Sequence, residues 1–402
     1  MLIPALLSFL GGLPIAPADV TVRWRQEDHQ ASALPAELGA EARSAIETWQ
    51  KWAAEQHYRL DLSADERVLL LSASGSSRRS QQAKLVAGAL RFFDERLPAP
   101  AHRAGLAALA GGLAGEPAPP AGGDEPIPDD PEGDPPPLGP PRGVGAEGLE
   151  DPPEITWAWG AGSVPPDTET IVFLVLKKPN DYQSALVQLA KIAPYLEPWI
   201  AGARKYTGFV LEQPLAGAFV EAGEGREEWD PDAELVNRIA GLLLLRRFGR
   251  QPYWLTQGWA WVAELELRGG IYCFPYRSEF VWAVEHTGWP STLRTKFASR
   301  TGDPLRLEEF AAWPRGTYQG DAALLSWGFA DFLVAAHRAE LPALLEALRV
   351  YRDAHDRIPL SATEWRRDPD YEIPLETLDE LFRAHLGEDY LAAAARRFRG
   401  EE

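Results

Sequence analysis

Hydrophobic positions along the chain fall into short continuous runs and longer helical periodicities, and the two alternate. Val20 to Arg25 reads as a short strand, and Arg67 to Ser72 as another with Val68 to Leu71 as its apolar centre. Thr170 to Leu176 is almost wholly apolar, the pattern of a strand buried on both faces. Glu37 to Gln56 places Ala42, Ile46, Trp49 and Trp52 or Ala53 on one helical face, and Ser80 to Leu97 does the same with Leu85, Ala89, Leu90 and Phe93. Asp181 to Ala203 is helical, with interruptions near Pro194 and Pro198, and Gly208 to Val220 reads as a hairpin or two short strands. Further helices are expected over Ser278 to Glu285, Asp321 to His337, Leu341 to His355 and, split at Gly387, Leu375 to Phe398, with a loop over Gly316 to Gly320.

The stretch from Asp230 to Leu267 organises the rest. Its spacing predicts two helices joined by a short turn. Asp230 can cap the first, Pro231 suits a first turn that needs no amide donor, Gly249 ends it, and Pro252 opens the second. The first helix is apolar nearly all round, through Val236, Ile239, Ala240 and Leu242 to Leu245, and such a helix is buried. Glu234, Asn237, Arg238 and Gly241 break the pattern along one side, as a core polar network or a cleft wall would.

The helix, the turn and the sequence Pro252-x-Trp254-Leu255-x-x-Gly258-x-Ala260 resemble the gluzincin metallopeptidases of the peptidase MA type, including related secreted bacterial families of unknown function. In that family the first helix carries His-Glu-x-x-His, two zinc ligands four residues apart with the general base between them. The second helix supplies a third ligand from Trp-Leu-x-Glu-Gly. The resemblance places the histidines at Asn237 and Gly241, the base at Arg238 and the ligand Glu at Gln257, so all four are changed. Asn and Gln are neutral, weak ligands, Gly has no side chain, and an arginine sets a fixed positive charge where a dication belongs. No catalytic zinc, and no other cofactor, is expected. The resemblance covers roughly Thr170 to Phe398, more weakly Val68 to Leu97, and implies an edge strand bordering a cleft where an extended peptide can pair.

Composition adjusts this picture. The formal net charge of −19 disfavours nucleic acid as a partner. From Glu116 to Glu154 there are eleven acids and one arginine, among abundant Pro and Gly. Gly111 to Pro153 cannot bury enough apolar surface to offset its ordering entropy, and reads as a linker between two domains or an insertion within one. The N-terminal apolar run is short for a membrane span and contains Ala16-Pro17-Ala18, a small-x-small pattern suited to signal peptidase, although no Lys or Arg precedes it. The expected divisions are a signal peptide (1–18), an α/β segment (19–110), the acidic segment (111–154) and a gluzincin-like domain with a helical C-terminal part (155–402). The lone cysteine, Cys273, excludes an intrachain disulfide and reads as a buried, inert thiol.

Seven histidines are scattered without the spacing of a helical metal site. Neither a phosphate-binding Gly-rich loop nor a Gly-x-Ser-x-Gly elbow is present. Trp254, Trp259, Trp261, Trp282 and Trp289 crowd the second helix, as core or as an aromatic-lined groove, core being favoured. Gly241, in mid-helix, suggests the close approach of another chain or ring. Arg238 needs a carboxylate, with Glu234 one turn before it and Glu264 on the second helix as candidates; an Arg238–Glu pair would cross-link the two helices in place of a metal.

The expected fold is therefore α+β, a gluzincin or thermolysin-like scaffold with a small mixed sheet, a buried helix pair and a helical C-terminal subdomain. The expected function is that of a catalytically inactive, extracytoplasmic metallopeptidase-like protein, not integral to the membrane, that binds peptide or protein in a relic cleft. Binding candidates are Glu234, Arg238, Trp254, Gln257, Trp259 and Glu264. The alternatives are an active hydrolase with an unrecognised metal site and a structural envelope protein.

Overall fold

Three strands of the chain alternate their apolar side chains between two cores, and that alternation sets the architecture. In the computed structural model, Val68 and Leu70 of β3 (Val68–Ser72), Ile171, Phe173 and Val175 of β4 (Ile171–Leu176) and Phe219 of β6 (Ala216–Val220) face one core. Their neighbours Leu69, Leu71, Val172, Leu174, Leu176, Ala216, Ala218 and Val220 face the other. The residues described are 22–26, 34–98, 167–221, 230–274, 287–300, 304–312, 320–355 and 373–401. The N-terminal run, the acidic segment, the helix expected at Ser278 to Glu285, Trp282 and most of the loop expected at Gly316 to Gly320 lie outside them.

The fold is α+β. Among the described residues its mixed sheet has six strands in the order β1-β2-β3-β4-β6-β5, with β1 (Val22–Arg25), β2 (Arg59–Ser63) and β5 (Gly208–Leu211) completing the set. The central strands β3, β4 and β6 are parallel; β1, β2 and the far edge strand β5 run antiparallel to their neighbours. Helices α1 (Ala40–Glu55), α3 (Pro179–Ile192) and α4 (Glu197–Ala203) cover one face. Helices α2 (Ser76–Arg96) and α5 (Pro231–Phe248) cover the other. Strand β2 was missed by the sequence pattern because Leu60 and Leu62 alternate with Asp61, which is buried yet charged. Asp61 is held by Arg25 at 2.6 Å and Arg79 at 3.3 Å, so a polar residue occupies a core-facing strand.

The acidic segment interrupts one sheet. Strands β3 and β4, on either side of it, pair directly, with Leu69 opposite Val172 and Leu71 opposite Leu174. Arg247 at the end of α5 donates to Leu97 O at 2.6 Å and to Asp167 Oδ2 at 3.2 Å, so both ends of the excursion meet at one guanidinium. Arg246 adds a bond to Asp167 O at 2.7 Å.

Beyond α5 the core grows outward. Helix α6 (Tyr253–Arg268) packs on α5, and α9 (Gly320–Ala336) packs on α6. Around them lie α7 (Trp289–Ala298), α8 (Glu308–Ala311), α10 (Leu341–His355), α11 (Leu375–Leu386) and α12 (Tyr390–Arg399). Helix α7 gave little sequence signal, since only Trp289, Leu293 and Phe297 are buried along it. Among the described residues no helix is long and apolar enough to cross a membrane.

The close approach expected at Gly241 lies elsewhere. A Cβ at Gly241 would meet only Thr256 Cγ2, at 3.9 Å, whereas one at Gly258 would stand 2.4 Å from Ser326 O and 3.0 Å from Ala330 Cβ. The crossing of α6 over α9 is what demands glycine. Gly258→Ala should therefore destabilise the protein by about 1–3 kcal/mol through overpacking, while Gly241→Ala should be neutral or stabilising by up to about 1 kcal/mol. Denaturant melts of the two variants check this; a harmless Gly258→Ala would contradict the packing described.

Candidate functional site

Helix α5 begins as its sequence dictates. Asp230 caps it, its carboxylate accepting from Asp232 N at 2.8 Å, Pro231 fills the first turn, and Gly249 ends it at φ 62°. Helix α6 follows after Pro252 and returns antiparallel to α5. Trp259 Nε1 donates to Ala240 O at 3.1 Å, Thr256 lies against Gly241, and Asn237 faces Glu264. Asn237 and Gly241, two of the positions that the resemblance makes ligands, thus face α6.

Glu264 is its centre. The side chain is fully buried, yet each carboxyl oxygen is engaged. Oε2 accepts from Asn237 Nδ2 at 2.9 Å; Oε1 accepts from the backbone N–H of Tyr272 and, at 3.2 Å, of Cys273. One side chain therefore ties α5, α6 and the chain leaving α6. Burial pushes the Glu264 carboxyl up to about 8, with Glu234 repelling its charge and the three donors opposing the shift. Asn237 suits either protonation state. Its amide donates to the carboxylate, or, turned over, its oxygen accepts the proton of the neutral acid.

Glu234 and Arg238 lie on the more open side of α5, their side chains 13% and 24% exposed. Arg238 Nε donates to Glu234 Oε1, so this ion pair lies within one helix. The expectation that an arginine–glutamate pair joins the two helices is corrected here: Asn237 and Glu264 make that link. Cys273 is half-buried, its thiol donating to Glu234 Oε2 at 3.2 Å. Burial first, then the charges of Glu234 and Glu264, push this thiol well above its ordinary value, away from the thiolate a nucleophile needs.

The other candidates separate. Gln257 is half-buried on α6. Trp254 is buried against Phe310, Phe329 and Phe382, and Trp259 against Phe92 and Phe93, so both are core rather than groove wall. Trp261 and Trp289 pack edge to face, 5.2 Å between ring centroids, in the same core. A void of about 10 Å³ beside Leu244, Leu255 and Trp259 is apolar and no larger than a water. Among the described residues no group of three His, Cys, Asp or Glu could hold a metal ion. His337 and His385 find partners within their own segments, Glu340 and Leu381 O. Asn237, Arg238, Gly241 and Gln257 do not fit zinc, because none offers the anionic or imidazole donor it requires.

Sequence reasoning singled out Glu264 but missed its bonds to the amides of Tyr272 and Cys273. The available signal was an acid directly following the buried run Trp259 to Ala263. A scan against family models finds no match, and comparison with the curated proteins and with the solved structures yields none.

Because the folded Glu264 holds its proton to about pH 8 while the unfolded chain releases it near 4.5, native stability should fall as pH rises between these values. Glu264→Gln mimics the neutral acid, one atom accepting from the amides and the other meeting Asn237. Thermal melts from pH 5 to 8, on the scale of that window, should show a shallower decline in the variant than in the parent. Parallel curves would contradict the assignment.

Proposed function

We propose that this chain is a degenerate, catalytically inactive relative of the gluzincin metallopeptidases that binds an extended peptide along its sheet edge. The observation that carries the reading is the link between Asn237 and Glu264. At the position where the resemblance expects the first zinc ligand, a neutral amide bonds to a buried carboxyl on the second helix. The pair of helices is held by hydrogen bonds, and the chemistry of the zinc site is replaced by that of a core.

The route of the chain supports the same scaffold. An antiparallel edge strand, β5, precedes β6, which leads to α5, whose Arg238 lies against Gly208 of that strand. Val220 N donates to Thr207 O at 2.9 Å, which makes Thr207 a position facing β6; two-residue alternation then turns the backbone groups of Gly208 and Val210 outward, the Gly208 carbonyl accepting from the Tyr182 hydroxyl at 3.5 Å and Val210 offering its N–H and C=O. Val210 is also among the exposed large apolar side chains. A peptide adding here would bond to main chain and would need no cavity between the helices. The N-terminal apolar run with Ala16-Pro17-Ala18 supports export from the cytoplasm as part of the proposal. A structural role is the second reading, favoured by the packing of Trp254 and Trp259, and it predicts no peptide binding.

Two measurements on purified protein test the proposal together. After exposure to stoichiometric zinc and dialysis, less than about a tenth of an equivalent should remain, because preformed zinc sites hold their metal tightly. Unstructured peptides should be retained and recovered uncut. One tightly held equivalent with peptide cleavage would overturn the reading in favour of an active hydrolase.

A further inference from the structure

Arg238 does not end at its ion pair. Its Nε edge meets Glu234 on the same helix, while the far end of the guanidinium reaches β5, the last strand of the sheet among the described residues. A Cβ built on Gly208 of β5 would stand 3.0 Å from Arg238 Nη2 and 3.2 Å from Cζ, besides 2.7 Å from Ala218 O. The side chain therefore passes from α5 to the near face of the edge strand, one residue pair along from the outward backbone groups of Val210. Glycine at 208 makes room for it. The same charge is felt by Tyr182 on the opposite face, whose hydroxyl reaches Ala203 O at 3.1 Å and Gly208 O at 3.5 Å, so Val210 is the position of β5 left to pair outward.

Guanidinium has two donor edges in a planar fork, and its outer pair of nitrogens matches the two oxygens of a carboxylate. Glu234 occupies only the inner edge. We propose that Arg238 selects the ligand of this edge strand: an extended peptide that adds to β5 and sets a carboxylate against the outer edge of the guanidinium. This rests on the reading of β5 as a peptide-binding edge. Near neutral pH Glu264, below its shifted value of about 8, adds little negative charge beneath the site. Glu234 remains as the counter-charge, so the approaching carboxylate completes a bridge in which one arginine serves two acids. A contrasting role for Arg238 would be to guard the edge against pairing, as charged side chains do on exposed strands.

The test uses the full chain and a random dodecamer library in free-acid and amidated forms, read against the parent, Arg238→Gln, Arg238→Glu and Val210→Pro, with thermal melts confirming that each variant folds. Val210→Pro removes an outward N–H while leaving the bonds to β6, and should abolish binding. The parent should enrich peptides with Asp or Glu at a fixed register, or free-acid peptides if the chain end supplies the carboxylate. Arg238→Gln should weaken those peptides by about tenfold or more, the scale of a charge-assisted bidentate pair, and Arg238→Glu should shift selection to Lys and Arg. Binding that Val210→Pro removes but that shows no acidic preference overturns the role of Arg238 and leaves the edge reading standing. Binding strengthened by Arg238→Gln identifies a guard and overturns the proposal. No binding to the parent overturns both.

Discussion

The Glu264 carboxyl is buried beyond reach of water, and the centre of the protein is arranged around satisfying it. An unpaired buried acceptor costs about 1–3 kcal/mol, and an unpaired charge more, whereas a made hydrogen bond contributes about 1 kcal/mol net. The asymmetry explains the arrangement: Asn237 from α5 and two amides from the chain after α6 converge on one side chain. Beyond this polar group an apolar core runs from the sheet through α5 and α6 to α9 and α12. Hydrophobic burial supplies the driving force, and the polar link fixes the register of the two helices.

That register places the rest of the site. With Asn237 opposite Glu264, the helical spacing of α5 turns Glu234 and Arg238 to its more open side. Arg238 can then reach Gly208 at the sheet edge, and Cys273 reaches Glu234. Close packing of α6 on α9 at Gly258 holds the far side of the pair. The polar groups of α5 are thus placed from a rigid core outward, with the Arg238 guanidinium against the edge strand β5.

The strong features of the fold were legible in the sequence because local chemistry and tertiary role agree there. Asp230, Pro231 and Gly249 bound α5 as capping rules require, and the apolar run of β4 is buried on both faces. Elements stabilised by distant partners were less legible. Strand β2 carries Asp61, tolerable only because Arg25 and Arg79 arrive from other segments. In the site, the polar stripe on α5 was visible as periodicity, but the choice of partners was not. Glu234 and Glu264 were both plausible for Arg238, and only the geometry assigns Glu234 to Arg238 and Glu264 to Asn237. Gly241 and Gly258 look alike in sequence, and the approach of α9 distinguishes them.

A double-mutant cycle on Asn237 and Glu264 tests the central claim most directly, with Asn237→Leu, Glu264→Leu and the double variant compared by chemical denaturation at neutral pH. Each single change leaves a buried polar group unpaired, so the double variant should be less destabilised than the sum of the singles, by about 1 kcal/mol or more. Additivity to within about 0.5 kcal/mol would mean that the two residues do not hold the helices together, and the account built on that link would be wrong.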